Sequence, residues 1–510
     1  MADLPPRVRA VCDLDVAGVR ENSGRHEYDG SVQDLSPDGV REGLIRLAEA
    51  AQASGRLEDP HEEAHLAAFE KHARVAFGDL ELHRRSLWPH LDVLDLACYD
   101  RDYAPAPQRD QARLEHLAAW PDAVDSALAA LDRLSAPVAT AMLAGIRGLA
   151  AGIPADAPPA ARAAAADAHA RLTAFVERAA TDGEPDPSLG DAGLTALMGS
   201  VEGMDVDLGR LAERADAERD RLLGLLATDC ARIDASRPPL ELARELVREH
   251  PGPGGVIDAA ATWTQKAIDF TREQDLVPYH DGICLVGLAP ESRRWAMAMM
   301  SAAAPGEPEG PSWYHITPPD PSWPQQEQEE WLEIFSATTL PVITVHEVAP
   351  GHFSHGRALR RAPTVVRRTL HSAAFVEGWA HYAEELCVEE GFCADDPRFA
   401  VGVWLEALVR VTRLACAIGV HTAGMSVEEG ARRFAGDTHL AGPAALAEAS
   451  RATFDPTYGR YTWGKLQILE LRERARKHWG ASFSLRRFHT AMMDLGAPPL
   501  GLLDTALERG

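Results

Sequence analysis

The chain has 510 residues, 46% hydrophobic and 25% charged, a globular balance that excludes wholesale disorder. No uninterrupted apolar run approaches the roughly 18 residues that mark a membrane-spanning helix. With 51 Lys and Arg against 77 Asp and Glu the formal charge is −26, which argues against nucleic acid or an anionic membrane as a partner.

The first residues, MADLPPRVRAVCDLDVAG, lack a basic stretch followed by an apolar one, so no secretory signal is read and the expected location is cytoplasmic. The seven cysteines, Cys12, Cys98, Cys230, Cys284, Cys387, Cys393 and Cys416, form no CxxC pair and read as reduced packing residues.

From about residue 38 to 235 the apolar spacing is helical, as in Leu66, Phe69, Ala73 and Phe77, and later Leu208, Leu211, Ala215 and Leu222. The segment AAGIPADAPPAARAAAADAHARL breaks one helix at its prolines and starts another at its alanines. A second break, PGPGG at Pro251–Gly255, is too rich in Gly and Pro for a helix interior. Residues 1–250 therefore read as an N-terminal helical region and 251–510 as a catalytic region, with one continuous unit around a central cleft also allowed.

Beyond the break, PYHDGICLVGL (Pro278–Leu288) and WYHIT (Trp313–Thr317) read as strands. Helical patterns return over about 371 to 390, at Trp404, Leu408, Val411 and Ala415, and over 463 to 478. The expected fold is mainly α, with a small β-sheet beside the helix that carries the chemistry.

That helix lies in PVITVHEVAPGHFSHG, Pro341–Gly356, where His346 and Glu347 are followed by His352 and His355. Zinc hydrolases place two histidines at i and i+4 on one helix face, with a glutamate beside the first as general base. Here i+4 is Pro350, and on a regular helix His352 would point about 240° away from His346. The reading requires the helix to break. Pro350 lacks the N–H that a regular turn needs, and Gly351 tolerates unusual dihedrals.

A catalytic zinc needs a third protein ligand and an open position for water. Glu377, in FVEGWAHYAEEL, is the next candidate. His381 and Glu384 lie near the same face at i+4 and i+7, so spacing alone leaves the third ligand open among them, and His355 stays in play. A helix with Glu384, Glu385, Glu389 and Glu390 also fits a solvated acidic face, which is the preferred reading of His381 as well.

HEVAPGH followed by EGWAHYAE resembles the bacterial group catalogued as domain of unknown function 885, whose pattern is HExxPGHH with a later EGWAxYxE. The match falls at His346, Glu347, Pro350, Gly351, His352, Glu377, Gly378, Trp379, Ala380, Tyr382 and Glu384. It continues in LVRVTRLACAIGVHTAGMS, YTWGKLQILELRERA and FHTAMMDLGAPPLGLL, covering about the last half of the chain. Two departures stand out: Phe353 where the group commonly has a second His, and Ala417 where it often has Asp. Members look like zinc metallopeptidases of the glutamate-ligand type, so the resemblance implies His346, His352 and Glu377 as Zn2+ ligands and Glu347 as general base.

The function expected is hydrolysis of a peptide or small amide-containing substrate by metal-activated water. Tyr461 is the first choice for the oxyanion donor and His421 the second. Arg413 and Lys465 are candidate anchors for a substrate carboxylate, although Glu406 and Arg410 form an i, i+4 pair that would make Arg413 part of a solvated face. WYHIT, with Tyr314, is a candidate cleft edge for strand addition by a peptide. The alternatives are a zinc enzyme acting on an aminoacylated metabolite, by amide hydrolysis or a lyase step, and a metal-free binding protein on a peptidase scaffold. The intact His346, Glu347 and Glu377 rank the last reading lowest. No pattern in the chain addresses oligomeric state.

Overall fold

A computed structural model of the chain describes residues 3–294 and 296–510. The architecture is mainly α, with one small sheet, and among the described residues no helix is long and apolar enough to cross a membrane.

The N-terminal helices form where their apolar periodicity predicts them. Leu66, Phe69 and Ala73 lie on helix Pro60–Ala73, which runs into a π-turn over Arg74–Asp79 holding Phe77. The alanine run becomes helix Pro159–Asp182, entered through Pro158. Ala165, Ala168, Leu172 and Val176 on one face of that helix join a core with Trp120, Val124 and Ile146.

Helix Val256–Glu273 starts directly after the PGPGG break. Packing nevertheless runs across residue 250. Helix Leu208–Asp234 lies along the long helix Pro397–Thr422, and Leu211, Leu222 and Leu226 share one core with Leu405, Leu408 and Val411. Each fully buried Leu in such a core contributes about 1.5–3 kcal/mol relative to exposure.

The sheet has order β1-β3-β2, with β1 Cys284–Leu288 parallel to β3 Ser312–Ile316 and β2 Ala298–Ser301 antiparallel to it. The expectation that WYHIT forms a cleft edge is corrected: β3 is the central strand, its backbone paired on both sides, so it has no free edge to offer a peptide. The strand absent from the sequence reading is β2, because the Ala-Met-Met of AMMS favours helix and the segment carries no β-branched signal.

Two helices that carry site residues meet almost backbone to backbone. Ala373–Glu389 packs on Arg460–Trp479, with Gly378 facing Gly464. A Cβ on Gly464 would lie 1.9 Å from the Ala374 carbonyl oxygen, so only glycine permits this approach.

Candidate metal centre

His346 sits in the last turn of helix Leu340–Glu347, whose residues 340–346 are all buried. The helix does not continue. Val348 leaves it at φ −106°, ψ −90°, Gly351 follows at φ −69°, ψ −133°, and a new helix, His352–Leu359, begins. The Gly351 N–H still donates to the Val345 carbonyl at 3.2 Å, and a Cβ there would lie 1.9 Å from the His346 carbonyl oxygen. The break at Pro350 and Gly351 brings the His346 and His352 rings to 4.7 Å between centroids, at 87° to each other. A regular helix would have held them apart.

Glu377 arrives from helix Ala373–Glu389. Its Oε2 lies 3.4 Å from Nε2 of His346 and 3.4 Å from Nε2 of His352. Among the described residues this buried oxygen has no hydrogen-bond partner, an expensive state for an anionic atom. The ligand atoms of His346, His352 and Glu377 all fall within 4.8 Å of one another. Donors bound tetrahedrally at zinc's usual 2.0–2.1 Å stand roughly 3.4 Å apart, so the donor set fits such an ion. The same helix clamps the turn, since the Trp379 indole N–H donates to the carbonyls of Pro350 at 2.9 Å and Gly351 at 3.3 Å.

Behind the trio stands Glu384, completely buried. Its Oε1 is 2.6 Å from Nδ1 of His346, and its Oε2 is 3.1 Å from Nδ1 of His381 and 3.2 Å from the Arg410 guanidinium. Burial would raise the pKa of Glu384, but Arg410, His381 and His346 outweigh it and hold the carboxyl well below the usual range. With Nδ1–H of His346 donating to Glu384, Nε2 faces His352 and Glu377, where loss of its proton would leave a lone pair for a metal. Burial opposes protonation of His346, yet Glu377 and Glu384 together lift it to about 9, so the pair of carboxylates favours a cation between them.

Glu347 is half-buried and makes no hydrogen bond or ion pair with the described residues. Tyr461, in the first turn of Arg460–Trp479, lies with its ring 6.3 Å from that of His346. The guanidinium carbons of Arg410, Arg413 and Arg460 are 5.9, 5.4 and 5.5 Å from the Tyr461 ring centre.

Several other candidates lie elsewhere or are already engaged. His421 donates Nε2–H to the Ala452 carbonyl at 2.8 Å and lines a cavity that includes none of the trio. Lys465 is fully buried, 2.6 Å from Glu385 and 3.1 Å from Glu218, and so ties three helices together. Arg413 spends its fork on Glu448, with two contacts of 2.7 Å, and reaches the centre only through the Tyr461 ring. Tyr314 is fully buried, with its hydroxyl 3.4 Å from that of Thr344, so it supports the His346 helix from beneath. His355 donates Nε2–H to the Gly496 carbonyl at 3.1 Å, away from the trio.

Two readings from the sequence are corrected. Glu384 and Glu385 are buried, so this face of the helix is not a solvated acidic stripe. Arg410 is buried as well, between Glu384 at 3.2 Å and Glu406 at 3.3 Å, where the i, i+4 spacing had suggested a solvated pair. The signal for Glu384 was its i+7 relation to Glu377. Nothing in the spacing pointed Arg410 at it.

The family described as "Bacterial protein of unknown function (DUF885)" matches residues 17–507, so the likeness takes in the N-terminal helices as well as the motif-bearing half. None of the curated proteins matches the chain. Among solved structures, the chain is similar to a "putative lipoprotein of unknown function" from Shewanella oneidensis, with a TM-score of 0.77 at 17% identity over 99% of each chain. It is also similar to a "putative lipoprotein" from Colwellia psychrerythraea, with a TM-score of 0.81 at 16% identity over 98% of this chain and 97% of that one. At these identities the likeness is one of fold.

Proposed function

We propose that this chain, which belongs to the bacterial DUF885 family, is a zinc-dependent hydrolase of peptide or small amide substrates, with Glu347 as its general base. The observation that carries the reading is the approach of His346, His352 and Glu377 ligand atoms to within 4.8 Å. They come from three separate helical segments, and the carboxylate oxygen among them, Oε2 of Glu377, is buried without a hydrogen bond to the described residues. Two imidazoles and one carboxylate suit zinc and leave a coordination position open. When bound, zinc would polarise the substrate carbonyl and ease the loss of a proton from water.

The other steps fall to side chains. Glu347, adjacent to His346 and free of competing partners, receives a proton from water on its carboxylate and passes it to the leaving nitrogen. The Tyr461 hydroxyl, which has no hydrogen bond to the described residues, donates to the developing oxyanion. Glu384 fixes the His346 ring through Nδ1, and Trp379 fixes the turn that carries His352.

The test is Glu347→Gln assayed on a panel of dipeptides and aminoacyl amides, with zinc content measured in parallel. The expected result is a loss of turnover on the order of 100-fold or more with zinc retained. Wild-type turnover in the variant, or no hydrolysis of any panel member by the intact chain, would overturn the proposal.

A further inference from the structure

A cavity of about 50 Å³ is bounded by the N-terminal helices, the segment around Asp186 and the end of helix Pro397–Thr422. His346, Glu347, His352 and Glu377 are not among its lining residues. A space of this size takes a few waters or one small solute.

One part of the lining is cationic, with Arg85 and Arg133 both present. Arg133 pairs with Glu81 at 2.8 Å and is about half exposed. Arg85 gives a hydrogen bond to the Ser188 carbonyl at 3.0 Å but forms no ion pair with the described residues. Burial and the neighbouring Arg133 lower its pKa, and the pull of Asp186 in the other direction does not make up for them. Asp186 also lines the cavity, but both of its oxygens accept hydrogen bonds from Ser188.

Two further lining side chains are buried and each keeps a polar atom without a partner among the described residues: Ser135 at Oγ, 4% exposed, and His421 at Nδ1, 1% exposed. Such atoms are rare in folded proteins and ask for an explanation. Ser135 is the N-cap residue of the 13-residue helix Ala136–Gly148, yet its hydroxyl does not cap that helix. In the first turn of this helix the Ala136 N–H already donates to the Glu184 carbonyl at 2.8 Å and Pro137 has none, so the helix end contributes its partial positive charge and little more. His421 is different in kind. Its Nε2–H is used on Ala452 and burial keeps the ring neutral, with a pKa pushed down to about 4. Its Nδ1 is therefore a bare acceptor that needs a donor.

We propose that this cavity binds a small carboxylate bearing an adjacent hydroxyl or amino group, the carboxylate held by Arg85, Arg133 and Ser135 and the donor by Nδ1 of His421. A plain anion would satisfy the first three groups and leave His421 bare. The site is separate from the metal centre, so it stands or falls independently of the hydrolase reading.

The test is calorimetric titration of the full chain with glycolate, acetate and inorganic phosphate at constant ionic strength. Wild type is expected to bind glycolate saturably, and acetate several-fold more weakly because it lacks the donor. His352→Ala, which alters only the metal centre, is expected to keep glycolate binding. Arg85→Gln should weaken it roughly tenfold through loss of a charged hydrogen bond. Ser135→Ala, which removes a hydroxyl with no partner among the described residues and is checked for an unchanged melting temperature, should weaken it several-fold. Absence of saturable glycolate binding, phosphate binding tighter than glycolate, unchanged affinity in Ser135→Ala, or loss of binding in a folded His352→Ala would each overturn the proposal.

Discussion

The indole N–H of Trp379 donates to the carbonyl of Pro350 at 2.9 Å, so the helix that supplies Glu377 also grips the turn that supplies His352. Two of the three donor groups are thereby positioned by one side chain. Trp379→Phe keeps most of the buried ring and removes the donor. It is expected to cost on the order of 1–3 kcal/mol, the penalty of leaving buried carbonyls unsatisfied, and to weaken zinc binding in a chelator competition.

Glu384→Gln keeps shape and removes charge. The variant leaves Arg410 with Glu406 alone and weakens the hydrogen bond that orients His346. Loss of such an orienting partner typically costs about 10- to 100-fold in metal affinity, and competition against a chromophoric chelator would read it. Unchanged affinity would remove Glu384 from the account.

Lys465→Met tests the separation of scaffold from chemistry. The buried ammonium faces Glu385 and Glu218, and removing it leaves two buried carboxylates with only Arg221 between them. Breaking a buried pair in this way costs about 3–5 kcal/mol, to be measured by urea unfolding.

Among the N-terminal helices, His116 on helix Ala106–Ala118 predicts an acid limb in stability. It donates Nε2–H to the Val93 carbonyl at 2.7 Å and accepts from the Tyr99 hydroxyl at 3.1 Å, so only the neutral ring fits. Burial, with a smaller push from Arg20, lowers its pKa to about 3. Between that value and the unfolded value near 6.5 the unfolded chain binds the extra proton, so this contribution to stability is intact above about pH 6.5 and declines as pH falls. The loss of unfolding free energy from pH 7 to pH 5, read by urea unfolding, is expected to be smaller in His116→Gln than in wild type by an amount on the order of 2 kcal/mol.

Much of the candidate site is legible in the sequence. His346, Glu347 and His352 stand out by residue type and close spacing, Glu377 is singled out from His381 and Glu384 only by the family resemblance, and the mainly α architecture follows from apolar periodicity. The helix break was legible as well, since Pro350 at i+4 made a regular helix incompatible with a shared ion. What escaped was the environment of the charges. Glu384, Glu385 and Arg410 have the local spacing of surface ion pairs, and only the packing of helix Ala373–Glu389 against two other long helices buries them. Lys465 and Arg413 were drawn toward substrate for the same reason, because a sequence shows a charge without its partner. The central position of β3 was hidden because β2, which covers one of its edges, is written in helix-forming residues.

The central claim is that His346, His352 and Glu377 hold a zinc ion. Metal analysis of the intact chain purified without chelator, alongside His352→Ala, tests it most directly. The account predicts about one zinc per intact chain, as a three-ligand catalytic site requires, and less than roughly a tenth of that in folded His352→Ala. Absence of zinc from the intact chain, or a full complement in the variant, would contradict it.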